Sequence, residues 1–466
     1  MFYLNNVTVS KHCFVFLVLA ATVLIYSEAH VLEFTIEPTD TVVESGQSAV
    51  LDCTVKASQY QPFVLIQWLD EDRQQLTFSG DVYRSQLTNG SLYINSVSEE
   101  QGLTGSYRCM ATLPNVGSIV SRSAKLSVAS LSGFHEEPRD ITVFVGQKAY
   151  FACRVQAFPI PKIKWLKDER PFHLDDLRMT ILPSGALEID EVLESDQGSY
   201  RCNVSSMNSY NLSSKGKLKV DVEIDIAAHV AAPTFIAKPY REVVIEGQDI
   251  SLDCAANGFP KPMITWLKNG VAIDLNDLDS RYSLIGSTSS LKITNIQESD
   301  GGTYQCRAQN REDSEDASAT IEIQVPPRFI VKPIDIIEFE HKDIQLNCSV
   351  HGKPVPKIEW LKNGEPIVPS DYYQIDNEHS LKIMGLIPND SGLIQCVASN
   401  SAGNIQTAAN VKVLKAGSIT QLKFESKISQ PTIEFWKSKM TVVMINDASV
   451  KSNMIVHVRN IIEHYY

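Results

Sequence analysis

Apolar and polar positions alternate in short runs along most of the chain, and the runs recur in the same order. Leu92/Ile94, Leu187/Ile189, Leu291/Ile293 and Leu381/Ile383 each bracket a single residue, so both aliphatic side chains fall on one face of a strand. Leu51, Phe151, Leu252 and Leu346 each stand two residues before a cysteine, which puts them on the cysteine's face. Gly46, Gly146 and Gly247 lie a few residues earlier, where a turn leads into the strand. Trp68, Trp165, Trp266 and Trp360 follow those cysteines. The runs Asp196-Gln-Gly198-Ser-Tyr200-Arg-Cys202 and Asp300-Gly-Gly302-Thr-Tyr304-Gln-Cys306 match at each key site. Many short alternating strands separated by turn residues predict an all-β chain of repeated sandwiches. The repeat divides it into modules at 31–129, 131–222, 233–325 and 327–414.

The Cys…Trp…Tyr-x-Cys frame resembles the immunoglobulin fold, mostly its intermediate set. The resemblance implies tandem Greek-key β-sandwiches in four complete copies, with Cys53 bonded to Cys109, Cys153 to Cys202, Cys254 to Cys306 and Cys348 to Cys396. In such domains the bridge joins the two sheets, the tryptophan packs on its sulfurs, and the tyrosine hydroxyl ties a corner. Arg178 and Arg281 are expected to pair with Asp196 and Asp300. Two modules depart from the pattern. The first has Leu103 where the others have aspartate, and a displaced Trp68, which predicts a looser outline. The fourth has Ile394 for the corner tyrosine and His341 for the preceding glycine, so its corner is expected to be apolar and less firmly fixed. The joins are short: 222–233 is the best candidate hinge, and Val325-Pro326-Pro327 leaves little slack. A semi-rigid rod of four modules follows. The segment 415–466 carries Trp436 but no cysteine, and reads as an incomplete fifth module or as a disordered tail.

Lys11 and His12 precede an apolar run of about 14 residues from Cys13 to Tyr26, short of the roughly 20 that an ordinary membrane span needs. Small residues then end at Ala29, so 1–29 is expected to be a cleaved secretory signal, which removes Cys13. That leads into an oxidising compartment and a secreted chain, or a cell-surface one if a longer anchored form exists. No later apolar stretch approaches membrane length. The net charge of −13 argues against a nucleic-acid partner.

No phosphate-binding loop, zinc-protease motif or nucleophile elbow occurs, the cysteines are not clustered for zinc, and Asp274–Asp279 lacks calcium-loop spacing. No enzyme activity, metal or cofactor is therefore expected. Glycosylation sequons stand at Asn89, Asn203, Asn211, Asn347 and Asn389. In the second module Ile163 and Trp165 should point inward, so Lys162 and Lys164 point outward. By the same parity Arg201 and the pair Lys217 and Lys219 join them on one sheet face. A basic face on an acidic molecule suits an acidic partner or a sulfated glycan; the plainer alternative is a solvated face partly covered by a glycan on Asn203.

Glu37-Pro-Thr-Asp-Thr-Val-Val-Glu44, Phe158-Pro-Ile-Pro161 with Trp165-Leu-Lys167, and Val413-Leu-Lys-Ala-Gly-Ser-Ile-Thr-Gln-Leu-Lys-Phe424 resemble the ectodomain of the off-track, or protein-tyrosine-kinase-like, receptors, whose kinase domain is inactive. That resemblance implies adhesion and axon guidance by protein–protein binding: homophilic contact with like molecules on opposing cells, or co-reception with plexin and semaphorin or with Wnt. The alternatives are a secreted matrix protein and a soluble decoy.

Overall fold

The computed structural model describes residues 32–57, 63–171, 177–222, 230–276, 281–285 and 288–415, with the backbone of 419–422 and 442–445. The expected signal at 1–29 lies outside these residues, as do most of the expected hinge, part of the Asp274–Asp279 loop and the segment around Trp436. Beyond Lys415, Ile419–Leu422 pairs antiparallel with Val442–Ile445.

Each module is a two-layer β-sandwich. In the second, the larger sheet runs Ile141–Phe144, Gly216–Asp221, Gly198–Ser206, Lys162–Lys167, Arg170–Pro171, and the smaller runs Ala149–Phe151, Leu187–Ile189, Met179–Ile181. The third and fourth repeat both orders, and the first keeps the same plan. The alternating runs seen in the sequence are the reason: Leu187 and Ile189 turn into the core while Glu188 faces away. Among the described residues the only helical pieces are one-turn 3₁₀ segments such as Glu194–Asp196.

A disulfide pins the two layers together in every module: Cys53–Cys109, Cys153–Cys202, Cys254–Cys306 and Cys348–Cys396. Trp68, Trp165, Trp266 and Trp360 are buried beside these bridges. A buried indole N–H needs an acceptor. Trp68 donates to the Gly90 carbonyl at 2.9 Å and Trp165 to that of Gly185 at 2.9 Å. Gly185 has φ +94°, and a Cβ there would meet Ile163 Cδ1 at 2.2 Å, so this turn requires glycine.

The corner tyrosines are tied as expected. Tyr107, Tyr200 and Tyr304 donate to the carbonyls of Leu103, Asp196 and Asp300 at 2.8, 2.7 and 2.8 Å. Arg178 meets Asp196 at 2.8 Å and Arg281 meets Asp300 at 2.5 Å. The fourth module differs from expectation. Ile394 is buried, but the corner is not loose, because Asp390 is held by Tyr372, by Tyr373 at 3.1 Å and by Lys362 at 3.0 Å. These bonds reach the Asp390 carboxylate, so they fill the place that Arg178 and Arg281 hold in the second and third modules.

The expected rod is also corrected. The strand Ser314–Val331 runs without a break from the third module into the fourth, so that join is stiff. The chain nevertheless folds back, because the first module packs on the fourth and the second on the third. Sequence alternation describes each sandwich by itself and carries no direct record of which outer faces meet.

Candidate functional site

The contact between first and fourth modules is built from the outer faces of their larger sheets. Leu393 of the fourth inserts among Leu32, Ala111, Leu113 and Ile119 of the first. Leu361 packs with Leu69 and Val120. At the centre Gln395 is fully buried, and its side-chain amide pairs with one residue's backbone as a strand would. Its Oε1 accepts the Val120 N–H at 2.8 Å, and its Nε2 donates to the Val120 carbonyl at 2.9 Å and to Gln406 at 3.0 Å. Asn404 repeats the arrangement at the edge, accepting the Ser123 N–H at 2.8 Å and donating to the Ser123 carbonyl at 3.1 Å. Arg73 forms an ion pair with Glu359. Close approach needs small residues: a Cβ on Gly117 would lie 2.3 Å from Asn363 Oδ1.

The seam between second and third modules sets the outer face of the second's smaller sheet against the Ala231–Ala237 and Ala255–Phe259 strand pair of the third and the residues beside it. Asn257 accepts the Lys148 N–H at 2.9 Å and donates to the Lys148 carbonyl at 2.8 Å. The Arg154 guanidinium lies 4.2 Å over the Tyr240 ring. Asp253 of the third module accepts from Tyr150 at 3.1 Å and from Ser184 at 2.5 Å. Lys261 reaches Asp190 at 3.0 Å, and the buried Lys148 lies 2.5 Å from Glu188. Burial pushes the carboxyls of Asp253 and Glu188 above their ordinary range, and burial with the adjacent Asp253 charge pushes the Tyr150 hydroxyl up.

With its smaller sheet covered, the second module leaves its larger sheet open, and this carries the basic face. Strand register sets Lys162 opposite Ser205, Lys164 opposite Asn203 and Lys217 opposite Ser199, all outward. The expected quintet is only partly available. Arg201 lies 3.4 Å from Glu169 and donates to the Ser213 carbonyl, and Lys219 lies 2.8 Å from Asp221. Lys162, Lys164 and Lys217 are exposed and have no ion pair among the described residues. Of the sequon residues, Asn89, Asn347 and Asn389 are exposed, while Asn203 and Asn211 are half-buried. Asn203 Oδ1 is buried and finds no hydrogen-bond partner. Among the described residues no group of three or more His, Cys, Asp or Glu side chains is placed to hold a metal, and no helix is long and apolar enough to cross a membrane.

Sequence reasoning passed over Gln395, Leu393, Asn404 and Asn257. One signal was present. Gly392-Leu-Ile-Gln-Cys396 is buried at every position, where Gly198–Ser206 alternates, and Leu393 takes the place that Ser199 and Thr303 hold in the second and third modules. A strand that is apolar on both faces is covered on both faces.

Two sandwich layers, a central bridge with its tryptophan, and a tied corner define the immunoglobulin domain, and the chain is a tandem immunoglobulin-domain protein. The "Immunoglobulin domain" family model matches residues 33–112 and 232–310, and the "Immunoglobulin I-set domain" model matches 132–220 and 327–413. Among known proteins it is similar to neogenin of Rattus norvegicus, 37% identical over 387 residues, and to the netrin receptor DCC of Homo sapiens, 36% identical over 392 residues. Each alignment covers 82% of this chain, but only 27% of neogenin and 26% of DCC, so the chain spans about a quarter of these relatives' length. The solved structure of the N-terminal four Ig domains of Dscam1 isoform 7.44 is 25% identical, covering 82% of this chain and 98% of that one with a TM-score of 0.65. These comparisons carry the off-track resemblance as far as tandem immunoglobulin domains of the receptor kind.

Proposed function

We propose that this chain is the extracellular binding region of a cell-surface adhesion and guidance receptor, acting by protein–protein contact and without catalysis. The observation that carries the reading is the alignment with neogenin and the netrin receptor DCC through all four modules. Two pairs of faces are occupied inside the molecule, so ligands meet the faces left open. A netrin-type ligand has its support in the name of the DCC relative. Semaphorin–plexin or Wnt co-reception has its support in the off-track resemblance alone. Immobilised protein tested against netrin, semaphorin and Wnt ligands decides among them. Saturable binding to any one supports a receptor, and no binding to any, with no aggregation of coated beads, refutes it.

The open face of the second module is the contact we assign to a sulfated glycan. Lys162, Lys164 and Lys217 supply unpaired cations there, and their long-range attraction is screened over about 8 Å at physiological salt. Reversal of these three to Glu should abolish salt-sensitive heparin retention with the melting temperature unchanged. Equal retention would return them to an ordinary solvated face.

A further inference from the structure

We propose that the seam between the second and third modules is a proton-linked latch that tightens as pH falls toward the ordinary carboxylate range. The geometry comes first. Asp253 and Glu188 are both buried at the seam, exposed by only 4% and 1%, and each keeps one carboxylate oxygen, Asp253 Oδ1 and Glu188 Oε2, with no hydrogen-bond partner. An orphaned buried carboxylate oxygen is costly when ionised and far less so when protonated.

The surroundings leave negative charge in excess. Asp253 faces Tyr150, Ser184 and Glu188 from the second module, and Tyr240 and Glu242 from its own. Glu188 also meets Lys148 and Asp190, and Lys261 of the third module caps Asp190. Arg154 lies against Tyr240 and the seam-facing Glu242, and Glu136 lies 3.8 Å from Arg154 at the edge. Glu191 also lies 3.6 Å from Lys261, so the carboxyls of Glu188, Asp190, Asp253 and Glu242, with Glu191 and Glu136 at the edge, outnumber the cations Lys148, Lys261 and Arg154. An added proton lessens that excess. Burial raises the carboxyls of Asp253, Glu188 and Glu242 in the closed form, and separating the modules would return each to water and its ordinary range.

The sign follows from proton linkage. A carboxyl raised in the closed form favours closure fully below its open-form value, and that support is lost as pH rises through the closed-form value. Opening above the closed-form value therefore exchanges no proton, while opening between the open-form and closed-form values releases one to solvent. The open-to-closed ratio changes by up to about tenfold per pH unit for one proton.

The Lys148 amide reports on the latch directly, because its N–H is donated across the seam to Asn257. Hydrogen exchange of this amide in the full chain, corrected for the intrinsic pH dependence, is followed from about pH 8 down to the ordinary carboxylate range of about 4, with the radius of gyration measured alongside. The expected result is protection that rises on acidification in the wild type and is flat and high at all pH values in Asp253→Asn. Glu188→Gln should flatten it in the same way. Tyr150→Phe removes a hydrogen bond that favours the Asp253 carboxylate, so the transition should move to higher pH with packing nearly intact. Flat or reversed dependence in the wild type overturns the proposal, as does full dependence in both neutralised variants or an unmoved transition in Tyr150→Phe.

Discussion

Replacing Gln395 by alanine should open the contact between the first and fourth modules while leaving both sandwiches folded. The glutamine lies on the outer face of its sheet, away from the Cys348–Cys396 bridge, so the core of the fourth module loses nothing. What is lost is the pairing with Val120, whose N–H and carbonyl bond the Gln395 amide at 2.8 and 2.9 Å and which is itself 4% exposed. A buried backbone group left without a partner costs about 1–3 kcal/mol. Two such groups, with some relief from entering water, give about 3 kcal/mol against the closed form, a shift of about a hundredfold in the closed-to-open ratio. Gln395→Glu is the sharper control: a carboxylate still accepts from the Val120 N–H but repels its carbonyl, so it should open the contact as well. Small-angle scattering reads the outcome as a longer maximum dimension in both variants, with circular dichroism unchanged. If Gln395→Ala scattered as the wild type does, the amide pairing would not hold the modules together.

The remaining predictions concern single modules. Arg281→Ala should destabilise the third module by roughly 3 kcal/mol, because it strips one partner from the buried Asp300 carboxylate, and calorimetry should show that module's transition falling first. Although burial raises the Asp300 carboxyl, hydrogen bonds from Arg281, the Gln297 N–H and Tyr282 hold it well below the ordinary carboxylate range. Its support is therefore present above the unfolded value of about 3.9 and fades as pH falls below it. In Arg281→Ala this acid sensitivity should shrink, and an unchanged acid transition would place its origin elsewhere. Cys254→Ala should cost about 2–5 kcal/mol in the third module. The seam should pass part of that loss to the second module while the first and fourth melt nearly as before; simultaneous melting of all four modules would show that they are not separate folding units.

The interior of each sandwich was legible because it is written in local periodicity. Leu187 and Ile189 flank an outward Glu188, and a cysteine two residues after Phe151 must share its face. The Arg178–Asp196 and Arg281–Asp300 pairs came instead from the resemblance to the immunoglobulin fold. What turned out differently depends on residues far apart in sequence. Gln395 meets Val120 and Asn257 meets Lys148 through polar side chains that, in any one strand, look like ordinary solvent-facing positions. Parity set Lys162, Lys164 and Lys217 outward, where the strand register also has them, yet parity does not show that Glu169 and Asp221 sit within reach of Arg201 and Lys219. The fourth module's corner shows a related limit. Loss of the tyrosine was visible, whereas the grip of Tyr372, Tyr373 and Lys362 on the Asp390 carboxylate came from another strand and loop.

Small-angle X-ray scattering of the wild-type protein at neutral pH tests the folded-back arrangement most directly. Packing of the first module on the fourth predicts a compact, bent particle whose maximum dimension is well short of four modules laid end to end, and which lengthens in Gln395→Ala. A wild-type profile of an extended four-module rod, unchanged by that substitution, would contradict it.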